Sequence, residues 1–199
     1  MGKVVALKLD ESQRVLAAAR VRRPPPAISL TPTFFRYPLG DVAAPELVEA
    51  LDVWFALAGP QGRFRLGADD NEESLRLCRP LMTGSSSIVR VDHGRPPAEW
   101  RFGHWGPGFR NEHDVHYLCG KIGNLPVPQL LDGIAQSLLE CLQQPDPAVY
   151  RMVGLGPKGA VVYDALRLPV VNGNGRVVRF VTKSQSYVTV AGTLDPVDA

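Results

Sequence analysis

Apolar positions in this chain follow two different periods. Toward the C-terminus they run as strands: Val149 to Val153, then Ala160 to Leu168, then Val177 to Thr182 with a continuation toward Val190. Gly156-Pro157-Lys158-Gly159 separates the first two runs, and Asn172-Gly173-Asn174-Gly175 separates the last two. Asn-Gly supplies the positive φ angles that a tight hairpin needs, so an antiparallel meander is expected over residues 148–190. Upstream, Ser86 to Val91 and Ala98 to Trp105 flank the turn Asp92-His93-Gly94-Arg95 and predict a second hairpin. Regular alternation along its second strand would put Trp100, Phe102 and His104 on one face.

Elsewhere the apolar residues recur every three or four positions. After Pro45, the residues Leu47, Val48, Leu51, Trp54, Phe55 and Ala58 make one stripe, which Gly59-Pro60 stops. From Val127 to Gln143 the stripe is Leu130, Leu131, Ile134, Leu138 and Leu142. Pro128 suits a first helical turn, and Pro145 and Pro147 forbid continuation. Glu72 to Leu81 and Asn111 to Cys119 predict shorter helices. At the start, Val4 to Leu9 reads as a strand and Asp10 as the cap of a helix carrying Val15, Leu16 and Ala19. Pro24-Pro25-Pro26 ends that helix as a stiff spacer.

This order places two strands first, then helices, then three strands. It predicts an α+β fold: a five-stranded antiparallel sheet with helices packed on one face, preceded by a helical N-terminal extension. Three segments follow: a basic, Pro-rich extension over 1–40, a domain with its leading helix over 41–192, and a tail over 193–199. Leu51-Asp52-Val53-Trp54-Phe55, Trp100-Arg101-Phe102-Gly103 and the terminal meander carry a resemblance. Over residues 45–190 the chain resembles the PAS-like family, in particular bacterial stand-alone PAS-like proteins in which a helix precedes the domain. The resemblance implies a sensory or adaptor module in signal transduction, with a cavity between sheet and helices and no universal catalytic residue. The chain departs from many PAS domains in Gly106-Pro107-Gly108 and in two closely spaced histidines.

Composition narrows this reading. The chain has 199 residues, 45% hydrophobic and 21% charged, as in ordinary globular proteins. Cys78, Cys119 and Cys141 are few and far apart, so no disulfide framework or zinc ribbon is indicated and a cytoplasmic setting is expected. No apolar run reaches membrane-spanning length, and no leader pattern is present. Residues 1–30 carry six basic and two acidic side chains, a net of +4; the whole chain is +2, which leaves −2 for the rest. Such scattered charge reads as a solvated arm, and neither a nucleic-acid nor a membrane partner is expected.

Candidate chemistry is sparse. His113 and His116 lie three apart and could reach one metal or haem iron from a helix, but Cys119 is poorly placed as a third ligand. A metal- or haem-binding protein or enzyme using those histidines is the alternative reading, and the sequence leaves any cofactor unknown. Gly84-Ser85-Ser86-Ser87 lacks the second glycine of a nucleophile elbow. Gly154 to Gly159 leads into a strand instead of a helix, so it predicts a hairpin and no phosphate loop. The candidate pocket is Trp100, Phe102, His104, Tyr117, Tyr150, Met152, Tyr163 and Phe180, a mostly aromatic set that could line a cavity for a small molecule or fill a plain core. Leu47, Leu51, Trp54 and Phe55 are expected to form a seam for a homodimer or a signalling partner.

Overall fold

The computed structural model of the chain describes residues 33–66, 76–109, 120–125, 128–156, 159–190 and 193–196. Met1–Thr31 and Pro32–Ala199 are separate units, and every described residue belongs to the second. Its elements are β1 (Thr33–Tyr37), α1 (Pro45–Ala58), β2 (Ser86–Arg90), β3 (Arg101–Trp105), α2 (Pro128–Gln143), β4 (Ala148–Gly156), β5 (Gly159–Val171), β6 (Val177–Val190) and β7 (Thr193–Pro196). The expected N-terminal strand and helix, and the helix over Asn111 to Cys119, lie outside the described residues.

The strands form one antiparallel sheet in the order β1-β4-β5-β6-β2-β3, with β7 also paired to β6. The early hairpin β2–β3 therefore lies against the last long strand of the meander. Among the described residues seven strands are present where five were expected. The first addition, β1, falls in the segment read as an extension, because proline at 32 and 38 suggested broken structure. Proline outside a strand removes no ladder bond, and Phe34 and Tyr37 pair opposite Met152 and Val149. The second addition, β7, falls in what was read as a tail.

Helices cover both faces, which corrects the expected single layer. Ile88, Val149, Leu166, Leu168 and Val181 pack with Leu47, Ala50 and Trp54 of α1. Their neighbours Val89, Tyr150, Ala165 and Phe180 pack with Leu130, Leu138 and Cys141 of α2. Successive side chains on a strand point to opposite faces, so a strand apolar at every position needs cover on both sides. Burial is unbroken over residues 148–150, 164–171 and 179–183, which therefore need that cover.

α1 starts at Pro45 and stops at Gly59, whose φ is 60° and whose N–H reaches the Phe55 carbonyl. Its buried stripe is Leu47, Ala50, Trp54 and Ala58. The expected dimer seam is thereby corrected: Leu47 and Trp54 are 0% and 1% exposed against the chain's own sheet, while Phe55 points outward at 48%. Trp54 Nε1 donates to the Pro169 carbonyl at 3.0 Å. Pro169 sits past the last β4 partner on β5, Arg167, so its missing N–H leaves no bond open toward β4.

The third hairpin closes differently from a two-residue turn. Gly175 N–H donates to the Asn172 carbonyl, and Asn172 Oδ1 accepts from the N–H groups of Asn174 and Arg176. Gly175 alone takes positive φ, 75°, and Gly173 does not. The turn is thus a longer loop with one left-handed glycine, and the β5–β6 register shifts beside it, between Val170 and Val171.

Candidate ligand site between the sheet and the second helix

Strand register builds a polar row on the α2 face. Trp105 lies opposite Ser87, Ser87 opposite Thr182, Thr182 opposite Arg167, and Arg167 opposite Ala148. Directly opposed residues share a face, so this row crosses five strands. Ser87, Thr182 and Arg167 are all buried. On one side runs the apolar row Phe102, Val89 and Phe180. On the other run Tyr150, Ala165 and Ser184, then Phe34, Met152, Tyr163 and Ser186. Hydroxyls and a cation therefore occupy the centre of the face, between the apolar row and a mixed side where Arg36 opposes Tyr150.

Arg167 is the chemical centre of the row. Its Nε donates to Ser137 Oγ of α2 at 3.1 Å, and its NH1 donates to Thr182 Oγ1 at 2.7 Å. Ser137 Oγ in turn donates to the Ile134 carbonyl at 2.7 Å. Burial lowers the guanidinium pKa to about 10, so it keeps its proton at neutral pH. Among the described residues no carboxylate pairs with it. The nearby carboxylate is engaged elsewhere: Glu140 Oε2 accepts from Tyr150 Oη at 3.0 Å. Burial, with Cys141 and then Glu140 beside it, pushes the Tyr150 phenol well above its usual range and keeps it a neutral donor. Burial likewise raises the Cys141 thiol, 3.6 Å from the same phenol oxygen.

Stacked rings wall the row. Phe34 lies flat on Tyr150, with centroids 5.1 Å apart, and Trp100 stacks on Phe180 at 6.3 Å. Phe102 meets Trp105 edge-on at 5.0 Å, and Trp105 stacks on Phe109 at 4.4 Å. Glycines after β3 let this last pair form. The N–H groups of Gly106 and Gly108 reach the carbonyls of Ser86 and Gly84, and a Cβ on Gly106 would lie 2.4 Å from the Gly84 oxygen. Only glycine permits that approach.

Six of the expected pocket residues share this side. Trp100, Phe102, Tyr150, Met152 and Phe180 are buried in one cluster, and Tyr163 packs partly buried against it. Trp100 precedes β3, held by Nε1 bonds to the carbonyls of Asp92 and Arg95 at 2.8 and 3.0 Å. His104 departs from the expectation. The β2–β3 register slips between Ile88 and Val89, so His104 opposes Ile88 while Phe102 opposes Val89. This bulge reverses the alternation and puts His104 on the α1 face, with Nε2 3.4 Å from Ser86 Oγ. Tyr117, His113, His116 and Cys119 lie outside the described residues.

No family model matches the chain, and no curated protein matches it. Among solved structures, one described as an RNA-binding light-oxygen-voltage receptor is similar at 15% identity and a TM-score of 0.37. That likeness covers 76% of this chain and 38% of the receptor chain, and at such a score it carries no argument about shape or activity.

The α1 face treats its buried charges differently. Asp164 takes Arg151 in a two-point bridge, Nε to Oδ1 and NH2 to Oδ2, both 2.7 Å. Lys183 Nζ donates to the Thr83 carbonyl at 2.6 Å and lies 3.7 Å from Glu46 Oε2. Among the described residues Arg167 has hydroxyl partners only. The sequence held a signal for it: a lone arginine inside Leu166-Arg167-Leu168, in a strand apolar on both sides. Ser137, Thr182 and Ser87 carried no comparable mark. Among the described residues no trio of His, Cys, Asp or Glu could hold a metal, and no helix is long and apolar enough to cross a membrane.

Proposed function

We propose that this chain is a PAS-like sensory module, without catalysis of its own, that takes up a small molecule between the sheet and α2. Its order of two strands, a helical crossover and a three-stranded meander supports the family reading. The observation that carries the ligand reading is the Ser87–Thr182–Arg167 row set among aromatic rings. A few convergent polar groups in an apolar surround are the usual make-up of a small-molecule site. Buried free thiols at Cys78 and Cys141 suit a reducing compartment such as the cytoplasm.

The test is a thermal-shift screen of small aromatic compounds on the whole chain and on Phe102→Ala. Ligands should raise the melting temperature of the wild type, and the mutant should lose affinity by a larger factor than it loses stability. If no compound stabilises the wild type and the mutant only unfolds, the face is plain core.

A second reading concerns output. Val48 and Phe55 are exposed on α1, with Leu51 half-buried between them, at the i, i+3, i+7 spacing of a helix face. This outer stripe replaces the expected seam and would serve a homodimer or a signalling protein. Val48→Glu with Phe55→Glu should then leave a folded monomer. A dimer that persists with both charges removes the stripe from the reading.

A further inference from the structure

Given a ligand on this face, as proposed for the chain's function, we infer that it is an aromatic carboxylate and that Arg167 is its anchor. Arg167 is 5% exposed, and among the described residues its surroundings are formally neutral apart from Glu140, held on Tyr150, and Arg36, which opposes Tyr150 on the rim strand. A guanidinium carries five N–H donors, and the two bonds it makes here, to Ser137 and Thr182, satisfy direction but not charge. Buried charge without a counter-charge is strongly unfavourable, and the buried acid Asp164 follows that rule with its arginine bridge. A monoanion from solution would supply the missing partner.

The class of anion follows from what surrounds the cation. A carboxylate matches a guanidinium in a planar, two-point fork. One guanidinium suits one negative charge. A phosphate dianion needs more donors, usually backbone N–H groups at a helix start or a turn, whereas those of β2, β5 and β6 at this row are spent on the ladder. Glu140, on the same side, would further repel a second charge. The rest of the ligand meets Phe102, Trp105 and Tyr150, so its body is a ring. Ser137 and Thr182 fix the fork from two elements, which leaves the anchor no rotation to make on binding.

The probes are benzoate and its neutral isostere benzamide, titrated by calorimetry into the whole chain in buffer without other carboxylates. Charge-assisted bonds predict benzoate binding roughly 10- to 100-fold tighter than benzamide. Arg167→Gln should erase that preference by weakening benzoate and leaving benzamide unchanged. Arg167→Lys keeps the charge and loses the fork; it should weaken benzoate yet keep it ahead of benzamide, and it serves if the glutamine variant does not fold. Equal affinity for the two probes in the wild type overturns the anchor and leaves the ligand site standing. So does benzoate binding that is unchanged in Arg167→Gln, or inorganic phosphate competing as well as benzoate. If neither probe binds and no aromatic compound stabilises the chain, the site and the anchor fall together.

Discussion

Arg167 on β5 donates to Ser137 on α2, so a buried charge of the sheet is tied directly to the helix that covers it. The bond crosses two layers, and Ser137 is itself held by the Ile134 carbonyl one turn back along the helix.

Arg167 and Arg151 should respond oppositely to loss of charge. Arg167→Met removes a desolvated cation that has no acid partner among the described residues, and should leave the ligand-free chain at least as stable as the wild type. Arg151→Met strands the carboxylate of Asp164, which is almost fully buried, and should lose about 3 kcal/mol, the low end for a broken buried pair because the Arg151 side chain is 36% exposed. Urea unfolding of both variants decides it. A less stable Arg167→Met, or a silent Arg151→Met, would show that the charges are balanced otherwise.

In the β5–β6 turn, only one of the two glycines is required. Gly175→Val forces a β-branched residue to φ 75° and should cost about 1–2 kcal/mol. Gly173→Val has open space around its Cβ and no positive φ, and should change the melting temperature little. Equal effects at the two positions would contradict the loop as described.

Helix α1 gives a sharper contrast between neighbours. Trp54→Glu buries a carboxylate against the sheet and removes the bond to Pro169, and should unfold the chain. Phe55→Glu, one residue on, should leave the circular dichroism spectrum unchanged. Leu47→Ala should lose about 2–5 kcal/mol. A folded Trp54→Glu variant would place α1 off the sheet.

Alkaline titration reports on the α2 face. The Tyr150 phenol and the Cys141 thiol both have raised pKa values in the folded chain, so their contribution is complete below their ordinary values of 10.0 and 9.0 and is lost as pH rises beyond them. Arg167 runs the other way, since its lowered value favours the folded state once it loses its proton, and it offsets part of that loss. Ultraviolet titration should show one tyrosine that ionises only as the chain unfolds, and Tyr150→Phe should remove it. Tyrosines that all titrate near 10 in the folded protein would refute this burial.

The sequence made the local elements readable and the assembly less so. Proline and glycine punctuation located α1, α2 and the meander, because those residues act on their own backbone. The number of covered faces was harder to see, since Ala165 and Leu166 look alike in a run and only tertiary packing separates them. His104 was misplaced because a bulge shifts parity without leaving any unusual residue type beyond a glycine. Arg167 was overlooked because a single charge in a strand is ordinarily solvent-facing. Its burial depends on α2, more than twenty residues earlier in the chain.

The bulge and the short edge strands bear on how the molecule keeps to itself. β1 and β3 end the sheet on either side, and an open edge invites another chain to add a strand. Each is only five residues long. Proline follows β1 at position 38, and β3 is kinked by its irregular pairing with β2. Neither rim offers a long flat ladder, so fibril-like stacking of copies is disfavoured by the same irregularities that make these strands hard to recognise.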